Sequence, residues 1–253
     1  MGYEAYEQPM VRAILYYYDK GNSASLEFCE KLLLTLKEYG YNDISNIELG
    51  KHMLIDGLLK DYVVRYSKKD LSTFDLHAEM FKWVNDNNVD YISFVHKEKR
   101  CWRWDVTWYK NYNMPDGVSI SNHTFNHLTI VSSYEGLDNK EVQDAYIGLF
   151  CELSDLFEAF FGNIEDVATA VEVLDLTKEG VFNHKHIHTV YWGNYLGEGY
   201  CLDIGQEKIR KSPFTIKRMT DNGMFLAITD DLLDSKNNPN FRQRKKLFKY
   251  LMK

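Results

Sequence analysis

The chain has 253 residues, of which 45% are hydrophobic and 26% charged, and its formal net charge is −7. This length suits one large domain or two closely packed lobes with a sizeable core, and the composition argues against long disordered linkers. No run approaches the roughly 18 consecutive apolar residues of a membrane span, and the N-terminal segment 1–11 lacks a secretory pattern. We therefore expect a cytoplasmic protein with no membrane association, whose cysteines are reduced and buried.

In chain order, the first half is predicted to mix strands and helices. A strand at 11–18 precedes a helix at 25–39, followed by a short strand at 61–66 and a helix at 71–85. Strands at 89–96, 100–109 and 123–133 follow, and their β-forming composition and partial alternation predict an antiparallel meander.

The second half begins with the strongest helix of the chain, predicted at 139–161. Its apolar residues recur at helical spacing from Val142 to Phe160, and Gly162 is expected to close it. Beyond it we expect a strand at 188–196, a short helix at 206–211, a hairpin of 214–219 and 224–229, and a closing helix at 240–252.

The order of these elements predicts the fold class. Helices and antiparallel strands follow each other without the regular βαβ alternation of a parallel sheet. We therefore predict an α+β fold, with mainly antiparallel sheet packed against helices. The chain is expected to form a single domain, 1–253, with a soft lobe boundary near 110–118.

Acidic charge is concentrated in one segment. Residues 134–176 contain eleven acids and one base, whereas residues 235–253 contain seven bases and no acid. Like charges at helical spacing cost roughly 0.2–0.5 kcal/mol per pair. Four acids fall on the polar side of the helix at 139–161: Glu141, Asp144, Glu152 and Asp155.

Two interpretations of this acidic face remain open. It is either a surface for a basic partner, since such a field speeds association, or a solvated face partly neutralised by the basic C-terminal helix. In both cases the negative charge argues against direct nucleic-acid binding through this face, because phosphates would be repelled.

A histidine-rich segment offers the weak candidates for a metal site. His184, His186 and His188 alternate, so on a strand they would share one side, and imidazoles are common zinc ligands. The segment lacks the established zinc-enzyme motifs, and the chain lacks the nucleophile-elbow, phosphate-loop and dinucleotide-binding motifs. We therefore assign no catalytic residue and no cofactor.

The C-terminal part of the chain resembles a known class of protein. The run from Val190 to Gly197 (Val-Tyr-Trp-Gly-Asn-Tyr-Leu-Gly) precedes Ile204-Gly205 and a short helix ending before Pro213. A glycine-led strand, 223–229, then leads to Asp230-Asp231 and the closing helix. This order, from about residue 130 onward, resembles large α+β immunity proteins of bacterial polymorphic and contact-dependent toxin systems.

The resemblance implies a binding protein and not an enzyme. Such a protein forms a tight one-to-one complex with its cognate toxin, and an acidic inhibitor suits a toxin with a basic surface. The alternatives are a metal-dependent hydrolase that uses the histidine-rich segment, or another phage- or defence-related interaction protein. The expected contacts are the acids Glu141, Asp144, Glu152 and Asp155, with Trp108 and Tyr195 as exposed aromatic anchors.

Overall fold

The structure of the protein is a computed structural model. It describes residues 10–17, 25–41, 43–55, 58–73, 75–86, 89–96, 103–107, 126–166, 190–233 and 241–252.

The described strands form one large sheet. They are β1 (Met10–Tyr17), β2 (Ile44–Ile55), β3 (Leu58–Ser67), β4 (Tyr91–His96), β5 (Arg103–Thr107), β6 (Asn126–Ser133), β7 (Phe161–Asp166), β8 (Gly193–Gly197), β9 (Ile216–Met219) and β10 (Gly223–Ala227). Their order across the sheet is β3-β2-β4-β5-β6-β1-β7-β8-β10-β9. Each neighbouring pair is antiparallel.

Helices lie between and after these strands. They are α1 (Leu26–Glu38), α2 (Lys68–Leu71), α3 (Leu76–Asn85), α4 (Lys140–Leu156), α5 (Glu198–Ile204), α6 (Gln206–Arg210) and α7 (Phe241–Met252), with a 3₁₀ turn at Tyr134–Leu137. Side-chain oxygens of Ser25, Asp75 and Asn139 accept backbone N–H groups in the first turns of α1, α3 and α4. These caps satisfy donors that a helix start leaves without intrahelical partners.

The main core lies on the first face of the sheet, which we define as the face covered by α1, α3 and α4. Alternate residues of the strands, such as Leu15, Ile92 and Leu128, share one buried cluster with apolar residues of those three helices. Aromatic contacts hold the layers together: the ring centroids of Tyr17 and Phe157 are 4.6 Å apart. This arrangement follows from the two-residue period of strands, which sends every second side chain to one face.

The second face of the sheet carries a smaller apolar cluster at its β7–β10 end. Phe161, Leu196 and Leu226 pack there with residues of α5, α6 and α7. The C-terminal helix is fixed to α6 by polar contacts as well, since the Lys208 Nζ donates to the carbonyl of Leu251 at 2.8 Å. Helices α4 and α7 therefore lie on opposite faces of the sheet.

The structure confirms the α+β fold class and the antiparallel pairing of β4, β5 and β6. The prediction of one helix at 71–85 is wrong at its start, because Ser72 and Thr73 form a turn and Asp75 caps α3. Strand β2 was not predicted. The thiols of Cys29, Cys151 and Cys201 are buried, as expected.

The prediction that the helix at 139–161 runs to Gly162 is also wrong. Helix α4 ends at Leu156, and Glu158 adopts a left-handed conformation with φ of 45°. The N–H groups of Glu158 and Ala159 donate to the carbonyls of Asp155 and Ser154, which closes the helix in a Schellman motif. The chain then enters β7, so Gly162 is a strand residue.

No helix in the described part of the chain is long and apolar enough to cross a membrane. Residues 110–118, where a lobe boundary was predicted, lie outside the described residues. The division of the chain into domains therefore stays a prediction.

Candidate partner-binding surface

The four acids predicted to form one surface all lie on α4, but the structure divides them into two pairs. Glu141 and Asp144 lie in the first half of the helix and are exposed. Asp144 forms an ion pair with Lys140, with 3.2 Å between Oδ1 and Nζ, and both side chains are about half exposed. An exposed ion pair of this kind contributes little to stability. Both carboxylates of this half are exposed and therefore accessible to a partner.

Residues from a distant loop extend the exposed acidic end of α4. Lys140 donates to the carbonyl oxygen of Asp230, and the Nε2 of Gln143 donates to Asp231 Oδ1 at 3.0 Å. The buried Gln143 also accepts the backbone N–H of Leu232 at 2.9 Å. Gln143 therefore fixes the 230–232 loop beside the start of α4, and both Asp230 and Asp231 are exposed there.

Glu152, in the second half of α4, is bonded within the protein. Its Oε1 accepts the hydroxyl of Tyr39 at 2.7 Å, and the ring of Tyr39 lies close to Gly148. Burial, together with the hydrogen bond to Glu152, raises the pKa of Tyr39. The hydroxyl thus stays protonated and keeps donating, which joins the end of α1 to α4.

Asp155 has a structural role. Its two carboxylate oxygens accept the backbone N–H groups of Asp221 and Asn222 at 3.1 and 3.0 Å, and the side-chain amide of Asn222 donates to its carbonyl at 3.1 Å. It therefore holds the 220–223 turn between β9 and β10. Asp155 is thus half-buried and bonded to this turn, whereas Glu152 is exposed although it accepts the hydroxyl of Tyr39.

The expectation that Tyr195 is an exposed anchor is wrong. Its side chain is 0% exposed and packs in the main core, on the first face of the sheet. The alternation of β8 explains this position, since Tyr195 and Leu196 fall on opposite faces and both faces of β8 are covered. Trp108, the other predicted anchor, lies outside the described residues.

The basic C-terminal helix does not neutralise α4 through the contacts that the structure describes. Its Arg244 instead contacts Glu165 of β7, with 2.7 Å between Nη2 and Oε1, on the second face of the sheet. The base near the second half of α4 is Arg218 of β9, which interacts with the buried thiol of Cys151. The described residues of α7 and the acidic helix α4 thus pack on opposite faces of the sheet.

The weak metal candidates His184, His186 and His188 lie outside the described residues. Within the described ranges no group of three or more histidine, cysteine, aspartate or glutamate side chains is arranged to hold a metal ion.

A charged network on the second face was not predicted. Glu48 of β2 accepts from Arg65 of β3 at 2.7 Å, and Arg103 of β5 lies between the carboxylates of Asp105, at 2.6 Å, and Glu48, at 3.9 Å. Burial raises the pKa of Asp105, whereas Arg103 acts in the opposite direction. This network crosses four strands and makes that part of the second face polar.

Comparison with solved structures finds a likeness of fold. A solved structure described as Pseudomonas aeruginosa T6SS protein PA0821 is similar, with a TM-score of 0.56 and 12% sequence identity, over 87% of this chain and 65% of that chain. This chain thus spans less than two thirds of that protein's length. No protein-family model matches the chain, and no curated protein matches it in sequence. At this identity the likeness shows a shared fold.

Sequence reasoning located the acidic helix but not the tertiary contacts that occupy half of it. The hydroxyl of Tyr39 and the turn at 220–223 are both far from α4 in sequence, so helical spacing carries no signal of either contact. The sequence signal for the network of Glu48, Arg103 and Asp105 is the alternation of polar and apolar residues in β5.

Proposed function

We propose that the chain is a cytoplasmic immunity protein that binds and neutralises a cognate bacterial toxin. The observation that carries the proposal is the fold shared with a T6SS protein, taken together with the resemblance of the C-terminal part to immunity proteins. The resemblance is one of element order and a few residues, and it covers the chain from about residue 130 onward.

The exposed acidic end of α4 is the proposed contact surface for the toxin. It consists of Glu141 and Asp144 with the neighbouring Asp138 and Asp230, all exposed. A surface of one sign attracts a partner of the other sign and raises the association rate. The partner is thus a protein with a basic surface, and a basic nucleic-acid-binding cleft would fit this chemistry.

The role is tested by co-expressing the chain with the product of the neighbouring gene. We expect that gene to be toxic alone, the chain to restore growth, and the two proteins to purify as a one-to-one complex. A neighbouring product that is harmless, and that forms no complex with this chain, would refute the proposed role.

The surface is tested separately with a double charge reversal, Glu141→Lys with Asp144→Lys. We expect association with the toxin to slow by roughly tenfold or more at low salt, and less at high salt. The matched control is Asp203→Lys with Glu207→Lys. This variant changes the charge by the same amount at exposed positions of α5 and α6, which pack on the second face of the sheet. Rescue and affinity unaffected by the α4 variant would keep the role and reject this surface.

A further inference from the structure

Helix α6 and strand β9 present exposed bases at one end of the sheet. Arg210 is the last residue of α6, Lys211 follows it as the C-cap, and Lys217 lies on β9. All three side chains are exposed. The Nζ of Lys217 donates to the carbonyl oxygens of Arg210 and Ser212, at 3.0 and 2.8 Å, and so holds β9 against the end of α6. The three bases therefore lie on one continuous stretch of surface.

The C-terminal helix α7 extends this stretch. The Nζ of Lys208 donates to the carbonyl of Leu251 at 2.8 Å, and the hydroxyl of Tyr250 donates to the carbonyl of Lys208 at 3.1 Å, so the end of α7 lies beside α6. Lys246 lies one helical turn before Tyr250 on the same side of α7. Lys246 and its neighbour Lys249 are both exposed. We define the basic surface as Arg210, Lys211, Lys217, Lys246 and Lys249.

The charges of the basic surface are largely unpaired within the described part of the chain. Lys211 forms an ion pair with Glu207, with 3.3 Å between Nζ and Oε2, and both side chains are about three-quarters exposed. Such an exposed pair contributes little to stability, so Lys211 can exchange its partner. The other four bases form no ion pair with a described residue. Lys217 donates to uncharged carbonyls, which leaves its positive charge in place.

The negative charge of the chain as a whole does not cancel this surface. The acidic helix α4 packs on the first face of the sheet, whereas α6 and α7 pack on the second face. At physiological salt, charges separated by more than about 8 Å of solvent are largely screened from each other. Phosphates are thus repelled from the acidic face of α4, yet a partner at the basic surface meets a positive local field.

The composition of the basic surface favours phosphates over a protein partner. Aromatic residues are enriched and lysines depleted at protein–protein interfaces. In the described side chains of α6, α7 and β9 no aromatic residue is exposed, and four of the five bases are lysines. Lysine binds phosphate as a point charge, and contacts to phosphates carry no sequence information. We propose that the basic surface binds the phosphate backbone of duplex nucleic acid without sequence preference.

The proposal is tested with the full chain alone, since this binding requires no toxin. Fluorescence anisotropy of a short labelled DNA duplex of arbitrary sequence measures the affinity over a range of salt concentrations. We expect a Kd of roughly 1–100 µM at physiological salt, which is typical of contacts to phosphates alone. If all five bases contact phosphates, the logarithm of the association constant should fall against the logarithm of the salt concentration with a slope of about −4.5. A duplex of unrelated sequence should bind equally.

The surface is tested with the triple variant Arg210→Gln, Lys246→Gln and Lys249→Gln. These side chains make no hydrogen bond or ion pair to a described residue, so their loss should leave the fold intact. We expect binding at low salt to weaken by about tenfold or more, and the salt slope to shrink to about −2, because three phosphate contacts are lost.

The matched control is Lys31→Gln with Lys37→Gln and Lys69→Gln. It removes the same charge at exposed positions of α1 and α2, away from the basic surface, and should keep the salt slope of the wild type. A wild type that does not bind the duplex even at low salt refutes the proposal. An equal loss of affinity in the two triple variants also refutes it, because binding would then follow net charge alone.

Poly-glutamate separates a preference for phosphates from a preference for negative charge in general. It carries repeated carboxylates and no phosphate. We expect it to compete with the labelled duplex much less effectively than an equal charge of unlabelled DNA. Equal competition would mean that the basic surface fits an acidic protein, and the nucleic-acid proposal would be wrong.

Discussion

The hydroxyl of Tyr195 donates to the carboxylate of Asp155 across 3.1 Å, from β8 to the last turn of α4. The same carboxylate holds the backbone of the 220–223 turn. Two residues that the sequence suggested as partner contacts are thus bonded to each other. Both residues therefore stabilise the packing of α4 against β8 and against the turn before β10.

We therefore expect Asp155→Ala to lower the free energy of unfolding by roughly 1–3 kcal/mol. The substitution removes the carboxylate that accepts the hydroxyl of Tyr195 and the backbone N–H groups of the turn. Urea denaturation measures this change. Glu141→Ala, an exposed acid of the same helix, should stay within about 0.5 kcal/mol of the wild type. Equal effects of the two variants would contradict the structural role of Asp155.

The buried ion pair of Arg244 and Glu165 gives a second prediction. The two side chains are 11% and 1% exposed, so removing one partner leaves a charge in a poorly solvated site. Glu165→Leu or Arg244→Met alone should lower the free energy of unfolding by about 3–5 kcal/mol. In denaturation experiments the double variant should lose less stability than the sum of the two single losses.

The exposed pair of Lys211 and Glu207, with 3.3 Å between its charged atoms, is the control. Breaking it with Glu207→Gln should change the free energy of unfolding by less than about 1 kcal/mol. If Glu165→Leu were as mild as this control, α7 would not depend on its ionic contact with β7.

The left-handed Glu158 after α4 predicts a stabilising substitution. A non-glycine residue in this conformation costs roughly 1–2 kcal/mol. Glu158→Gly should therefore raise the thermal midpoint, whereas the same change at the exposed mid-helix Ala145 should lower stability by about 1 kcal/mol. In calorimetry, the change in thermal midpoint should therefore be positive for Glu158→Gly and negative for Ala145→Gly.

The three buried thiols predict a loss of stability in alkaline solution. Burial raises the pKa of Cys29 and Cys201 to about 11 and that of Cys151 to about 12, from an ordinary 9.0. The folded state thus holds these protons more tightly than the unfolded state. Their contribution to stability is complete below about pH 9 and is lost as the pH rises toward the folded values.

Denaturation at a series of pH values from about 8 to 11 measures this loss, which should reach about 1.4 kcal/mol per pH unit for each thiol. Cys151→Ala should make the decline shallower than in the wild type. A wild type and a variant with identical alkaline slopes would show that Cys151 does not contribute.

The sequence predicted those elements whose pattern is local. The period of α1, the alternation of β5 and the asparagine-glycine turn before β10 each depend on neighbours in the chain, and each lies where the pattern placed it. Strand β2 was missed because Gly50 interrupts it, and glycine is uncommon in strands. The structure supplies the reason for that glycine, since a Cβ there would lie 1.9 Å from the ring of Tyr91 on the next strand.

Strand β7 was missed for a related reason. Phe160 and Phe161 continue the apolar period of α4, and Gly162 has the composition of a helix stop. Its actual constraint is the space taken by Leu15 and Phe150, because a Cβ on Gly162 would lie 2.7 and 2.9 Å from their side chains. Both side chains belong to other elements, so the contact emerges only once β1 and β7 are paired.

The position of β1 in the sheet has a consequence for biosynthesis. This strand is synthesised before the other described strands, yet its two neighbours, β6 and β7, end at Ser133 and Asp166. An apolar strand without a partner is prone to aggregate, and distant pairings form slowly because long loops must close. The emerging chain therefore has to keep β1 out of wrong contacts until β7 has left the ribosome, and chaperone occupancy of this segment should fall from that point onward.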